Sequence, residues 1–270
     1  MVHVVESSHM QSAVSVVQLG LVDYATALEL QRTLRELRKA GDVGDVLVLL
    51  EHTPVITLGR NADAKHVVAS DEVLRRSGVE LFECDRGGDV TFHGPGQLVG
   101  YPILDLRGFT TPGGERKTLG AVDYVRRLEE VLIRTCADFG VAATRIPGLT
   151  GVWTERRKAA KIAAIGVHIS RGVTSHGFAL NVTTDLEYFN LIVPCGISGK
   201  PVTSLAKEAG REIDMQAACE SVTRNFGRVF GRQILWVETL DALLGRAVGV
   251  PMRAPEPERH VAGETGIFWA

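Results

Sequence analysis

The stretch from Lys161 to Val182, KIAAIGVHISRGVTSHGFALNV, decides the fold. Apolar and β-branched residues fill Lys161 to Ile169 and Val173 to Val182, and Ser170, Arg171 and Gly172 interrupt them, a pattern that predicts an antiparallel hairpin. Alternate residues of a strand share a face, so Lys161 falls in one row with Ala163, Ile165, Val167 and Ile169. Ala164 and Gly166 take the other face, and across the hairpin Gly177 and Ala179, beside Phe178, are equally small. So little side chain on adjacent strands leaves room for a slender apolar ligand, or for a helix packed closely on the sheet.

Working outward, Ala121, Val125, Leu128, Leu132 and Phe139 recur at helical spacing up to Gly140 and predict a long amphipathic helix over Thr118 to Phe139, with only a core role. Nearer the start, Val14 to Leu19 reads as a strand. Asp23 caps a helix that turns Ala27, Leu30, Leu34 and Leu37 inward and stops at Gly41. Val46 to Leu50 and Val55 to Leu58 are apolar runs too short for helices and read as buried strands separated by a bend. Asp71 to Ser77 predicts a short helix, Val79 to Cys84 a strand, and Leu98 to Leu106 another in which Pro102 points to an edge or a bulge. Arg107 to Lys117, rich in Gly, Thr and Pro, reads as a mobile surface loop. After the hairpin comes a compact loop, Leu191 to Ser198. Asp214 then opens a helix with Met215, Cys219, Val222, Phe226 and Phe230 inward, and a strand, ILWV, and a short helix follow. With no repeat and no linker, the reading is one α/β domain with a mixed sheet over residues 14–250. A flexible lead, 1–13, precedes it, and a loosely attached Pro- and Glu-rich tail, 251–270, follows.

The 30 Lys+Arg against 32 Asp+Glu leave a net charge of -2, so no global field argues for nucleic acid as a partner. No apolar run approaches a membrane span, and MVHVVESSHM has neither the basic nor the apolar region of a signal peptide, so no membrane partner and a cytoplasmic location are expected. The four cysteines, Cys84, Cys136, Cys195 and Cys219, are widely spaced and support neither a zinc site nor a disulfide scaffold.

Two loops carry the candidate chemistry. In Arg86 to Gln97, RGGDVTFHGPGQ, Val90 and Phe92 suggest a short strand with a glycine-rich turn on either side, presenting Arg86, Thr91 and His93 at the rim of a pocket; a plain double turn is the alternative. No lysine-serine pair supports a phosphate cradle there. In Pro194-Cys195-Gly196 the cysteine sits in a loop whose amides could face a carbonyl oxygen while the thiol attacks. Cys136 and Cys219 fall within helical periodicity and read as small buried hydrophobes, and Cys84 as structural. Because the thiolate is the reactive form, Cys195 requires a nearby cation. Lys161, at the end of its row, could supply it, or could simply begin the strand and reach to water. His168 and His176 could face one another, but no third ligand is placed by the sequence, so structural or surface roles are favoured over a metal pair.

With RGGDVTFHGPGQLVGYP, KIAAIGVHISRGVTSHGFALNV and IVPCGISGKPVTSL present in this order, the chain resembles the lipoate-protein ligase B family, the octanoyltransferases of protein lipoylation, over Val14 to Phe230. The resemblance implies a single α+β domain whose mixed, largely antiparallel sheet is flanked by helices, similar to the biotin and lipoate ligase catalytic domains. It implies transfer of an octanoyl group from octanoyl-acyl carrier protein to a lysine of lipoyl domains, those of 2-oxoacid dehydrogenase E2 subunits and the glycine cleavage H protein. By motif, Cys195 corresponds to the acyl-thioester nucleophile and Lys161 to the lysine that lowers its pKa. The substrate-binding segments fall on Arg86, Gly87, Gly88, Asp89, Val90, Thr91, Phe92 and His93, on Ala164, Ile165 and Gly166, and on Gly177, Phe178 and Ala179. No metal and no cofactor are implied, because a thioester is already activated. An ATP-dependent lipoate or biotin ligase is the alternative enzyme, and a non-catalytic acyl or lipoyl-domain binding module the alternative outside catalysis.

Overall fold

A computed structural model describes residues 13–110, 116–155, 158–193, 200–244 and 267–269. β1 (Ala13–Val22) leads into α1 (Tyr24–Ala40), capped by Asp23, whose Oδ1 accepts from Thr26 N at 2.8 Å, and ended by Gly41 at φ +86°. The cap satisfies an orphan amide and the glycine takes the left-handed turn without a Cβ penalty. In chain order there follow β2 (Asp45–His52), β3 (Val55–Leu58), α2 (Asp71–Arg76), β4 (Glu80–Glu83), β5 (Val90–His93), β6 (Gln97–Ile103), β7 (Phe109–Thr110) and β8 (Arg116–Lys117). The second half comprises α3 (Ala121–Asp138), β9 (Ala143–Ile146), β10 (Leu149–Thr154), β11 (Lys161–Ser170), β12 (Val173–Asn181), α4 (Leu205–Ala209), α5 (Met215–Phe230), β13 (Gln233–Trp236), α6 (Leu240–Leu244) and β14 (Ile267–Trp269).

The main sheet runs β13-β1-β2-β6-β12-β11-β10-β9, with β14 also paired to β11. β13, β1 and β2 are parallel, and every later pairing in the sheet is antiparallel. The predicted hairpin is β11 and β12, in register from Ala163 opposite Leu180 to Ser170 opposite Val173. Its two-residue turn holds Arg171 at φ +51° and Gly172 at φ +84°, the left-handed pair that matches strand twist. The middle of β2, Val46 to Leu50, is apolar without a break because both of its faces are covered: Leu47 and Leu49 meet α3 and α5, while Val46, Val48 and Leu50 meet α1. A second sheet, β4-β3-β5, packs with Leu74 of α2 around Ile56, Val90 and Phe92, and its Val55 rests on Tyr24 and Leu28 of α1. Just before β5 the chain touches the main sheet, where Gly87 N donates to Val167 O at 3.0 Å.

Four expectations are corrected. Pro102 is not on an edge: it pairs with Leu47 inside the sheet, and the β6–β12 ladder stops at Gly100, so the missing N–H is not needed on that side. His176, with φ +55°, marks the irregularity where the ladder stops. Arg107 to Lys117 is not all surface loop, since Phe109 is buried under the guanidinium of Arg232, 4.1 Å from its ring centre. The tail is not wholly detached: Ile267 to Trp269 pair with β11 at Ile169 to Val167. Lys161 leaves its predicted row. Trp153 lies opposite Lys161 and Val152 opposite Ala163, so β11 carries one extra residue there; Ile162 and Ala163 both enter the core while Lys161 turns to the opposite face.

Gly177 lets β12 lie close against β6: a Cβ there would overlap Gly100 O and Pro102 Cδ. Gly177→Ala is expected to cost about 2–3 kcal/mol, measured as a lowered urea midpoint at unchanged slope.

Candidate active site

Between the β11–β12 hairpin and the Arg86 to Thr91 segment lies a cavity of about 410 Å³. Ala164 and Ala179, which face each other across the ladder, form its floor together with Val99 of β6. Gly166 and Gly177 contribute backbone only. The space a side chain would take at Gly166 is filled by Gly87 O and Arg86 Cδ, so the room those two glycines create is used by the protein itself. Exposed Asn61 and Gly148 stand at the mouth, and Leu149 and Thr150 continue the wall. Tyr24, His93, Tyr101 and His176, all buried, close the other end.

Lys161, itself buried, lines the cavity beside the Leu149 and Thr150 wall. Its ammonium lies 5.0 Å from the ring centre of Trp153, and Lys200 Nζ approaches the same ring at 5.4 Å, both as cation–π contacts. Its stem packs against Gly151, a residue at φ +116° whose amide donates to the buried carboxylate of Glu129 at 3.2 Å. Glu129, inside α3, also accepts from Arg126 Nη1 at 2.7 Å and Arg145 Nε at 3.0 Å, so α3 has more than a core role. Cys195 lies in 194–199, outside the described residues. The chain on either side is described: Val193 N donates to His66 O at 2.7 Å, Lys161 N donates to Pro201 O at 2.8 Å, and Thr203 N donates to Lys161 O at 2.9 Å.

A chain of buried hydrogen bonds joins the glycine-rich stretch to that same backbone. His93 Nδ1 donates to Gln97 Oε1 at 2.7 Å, Gln97 Nε2 to Asn181 Oδ1 at 2.9 Å, and Asn181 Nδ2 to Thr203 O at 2.9 Å. The Gly94-Pro95-Gly96 part is a turn docked on the end of β12, with Gly96 O accepting from Val182 N and Thr183 N. Half of the motif is therefore architecture and half is wall.

The structure sorts the sequence-predicted residues. Arg86, Gly88, Asp89, Thr91 and His93 line the cavity, as do Lys161, Ala164, Ile165, Gly166, Gly177, Phe178 and Ala179. Val90 and Phe92 point into the core of the small sheet, and Gly87 is spent on Val167. Arg86 is buried wall, not rim: its fork donates to Thr57 O, Thr57 Oγ1 and Asp89 O at 2.7–2.9 Å, bracing the loop on β3. His168 and His176 do have an acidic partner, Asp85, which accepts from His168 Nδ1 and His176 Nε2, each at 2.7 Å. Among the described residues no group of three or more His, Cys, Asp or Glu could hold a metal ion. Sequence reading passed over Asp85, Tyr24, Tyr101 and His52. Asp85 has no local signal, since its histidines lie 83 and 91 positions away. The tyrosines and His52 sit in or beside apolar runs, where burial alone would be assumed.

Burial sets the charge at the closed end. It pushes His52 down to about 4 and His93 well below the usual imidazole range, aided at His93 by the nearby His52 and Arg86 charges. His176 is also lowered by burial, against the pull of Asp85. For Asp85, burial raises the pKa, but the hydrogen bonds from His168 and His176 outweigh it and hold the carboxyl far below its ordinary value. Cys136 and Cys219 are each pushed up by burial to about 12, which fits inert core thiols.

A family model described as the lipoyl protein ligase A/B catalytic domain matches residues 23–227. An octanoyltransferase of Koribacter versatilis is 60% identical over 248 residues, 92% of this chain and 96% of that protein. One of Acidobacterium capsulatum is 61% identical over 235 residues, 85% and 95%. Among solved structures, a bipartite lipoate protein ligase of Thermoplasma acidophilum, studied with its E2 lipoyl domain, aligns with a TM-score of 0.65 over 88% of this chain and 90% of that one, at 15% identity, a likeness of fold.

The buried imidazoles give stability a pH dependence. Their folded pKa values lie below the ordinary 6.5, so between those values the unfolded chain binds more protons and stability rises with pH. Acidification from pH 7 to 4.5 is expected to lower Tm by roughly 5 °C or more, and His52→Gln to make that fall shallower in a thermal melt series.

Proposed function

Because the chain belongs to the lipoyl protein ligase A/B catalytic domain family, we propose that it transfers an octanoyl group in protein lipoylation, with octanoyl-acyl carrier protein as donor. The acceptors in this reading are the lysines of lipoyl domains, those of 2-oxoacid dehydrogenase E2 subunits and the glycine cleavage H protein. The observation that carries the reading is the 60% identity to an octanoyltransferase across 92% of the chain. An ATP-dependent ligase is not favoured, since the close relatives are named octanoyltransferase.

The chemistry runs in two halves. The Cys195 thiolate attacks the thioester carbonyl, the bond to the carrier sulfur breaks, and Lys161 gives its proton to the departing thiolate. The acyl group is then held on Cys195 with its chain along Ala164 and Ala179. In the second half the acceptor amine attacks, the neutral Lys161 takes its proton, and Cys195 leaves as thiolate, which the restored ammonium stabilises. Support for pairing these two residues comes from the chain that follows 194–199. Pro201 and Thr203 are hydrogen-bonded to the main chain of Lys161 itself, so Cys195 is separated by few residues from a segment tied to the proposed base. The cavity supports the acyl assignment, because its floor is small and apolar while the proposed proton carrier lines the same cavity.

Incubation with octanoyl-acyl carrier protein followed by intact-protein mass measurement is expected to show one octanoyl adduct, absent in Cys195→Ala and cleared by a lipoyl domain; an unmodified wild type overturns the reading. Lys161→Arg keeps the charge but not the base, and should lower transfer by roughly 10²-fold or more in a discontinuous lipoyl-domain assay.

A further inference from the structure

Tyr101 and His176 are held more firmly than cavity walls require. We infer that they form a rigid end-stop that sets the longest acyl chain the cavity accepts, an inference that rests on the acyl-transfer reading above.

Strand register places them. Val99 lies opposite Ala179, and Tyr101 is two residues further along the same face of β6. On β12 the order from Ala179 is Phe178, Gly177 and then His176, which lies opposite Val167. Lys161 is at the other end of β11. The four steps from Ala163 to Val167 alone span roughly 13 Å, so a chain attached near Lys161 and lying over Ala164 and Ala179 runs toward these two rings. Lining residues are exposed at the mouth, at Asn61 and Gly148, whereas Tyr101 is 4% and His176 2% exposed.

Each ring is tethered from behind. Tyr101 Oη donates to His52 Nε2 at 2.6 Å, and His52 Nδ1 donates to Val22 O at 2.8 Å. His176 Nε2 is bonded to Asp85 Oδ1 at 2.7 Å, and its main-chain N donates to Gln31 Oε1 at 2.7 Å. The two rings meet edge to face, their centres 6.4 Å apart. His176 adopts φ +55° within a strand, a conformation that non-glycine residues keep only where surroundings over-determine it, and such strain gathers at ligand-contacting positions. With their polar atoms turned to His52 and Asp85, the rings offer the cavity a fixed wall in place of side chains that yield to a longer ligand.

The test is calorimetric titration of the full chain with hexanoate, octanoate, decanoate, dodecanoate and tetradecanoate. Affinity is expected to rise about fourfold per added methylene and then fall at least tenfold beyond one length. Tyr101→Ala should move that cutoff to a longer acid. His176→Asn, chosen because asparagine tolerates the left-handed conformation, should do the same if the tyrosine variant does not fold. A smooth rise through tetradecanoate in the wild type, or a cutoff unmoved in a folded variant, overturns the end-stop. A sharp cutoff in a protein that takes no octanoyl adduct would instead leave the end-stop standing and sink the transferase reading.

Discussion

The relay from His93 through Gln97 and Asn181 to the carbonyl of Thr203 is the interaction on which the rest of the site depends. It joins the glycine-rich stretch, the end of the hairpin and the segment that returns from 194–199, three pieces of chain that share no local sequence. Its last link is main chain: Thr203 N donates to the carbonyl of Lys161. All three side chains are buried, as is Thr203, and an unmade hydrogen bond there costs about 1–3 kcal/mol. Each residue is therefore held by the cost of leaving its neighbour unsatisfied. The segment that follows Cys195 in sequence is fixed at one end by the same network.

Around that relay, close approach of backbone does the shaping. Gly166 admits the carbonyl of Gly87, Gly177 admits that of Gly100, and Gly59 admits that of Gly88. The cavity is what remains after these approaches, bounded by strands that could not come together with a Cβ in the way. The extra residue in β11 then settles which group the cavity receives. Without the slip between Lys161 and Ala163 the lysine would point into the core with Ala163 and Ile165, where an ammonium is costly to bury. With it, the lysine faces the cavity and the Trp153 ring.

The electrostatic design separates the two ends of the cavity. On the β10 side Lys161 and Lys200 both sit over Trp153, while at the closed end burial keeps His52, His93 and His176 toward neutrality. Asp85 takes the opposite part: its carboxylate stays ionised because two imidazoles donate to it, and Arg35 Nη1 lies 3.8 Å away. An apolar chain and a reacting carbonyl would thus meet different environments within one cavity.

Local pattern was enough for the hairpin, the caps at Asp23 and Gly41 and the inward faces of α3 and α5, since strand period and capping chemistry reside in contiguous sequence; that Lys161, Arg86, His93 and Ala164 share one site came from the family resemblance carried by three motifs in order. Three matters were decided only in three dimensions. The face Lys161 occupies depends on a bulge, which needs the partner strand. The roles of Arg86, Val90 and Phe92 depend on β3 and α2, which give the guanidinium Thr57 to hold and the two apolar side chains a core to enter. The Asp85 and Tyr101 contacts depend on residues brought together from 49 to 91 positions away. Periodicity reports which residues share a face; it carries no information about what a neighbouring strand or loop places opposite that face.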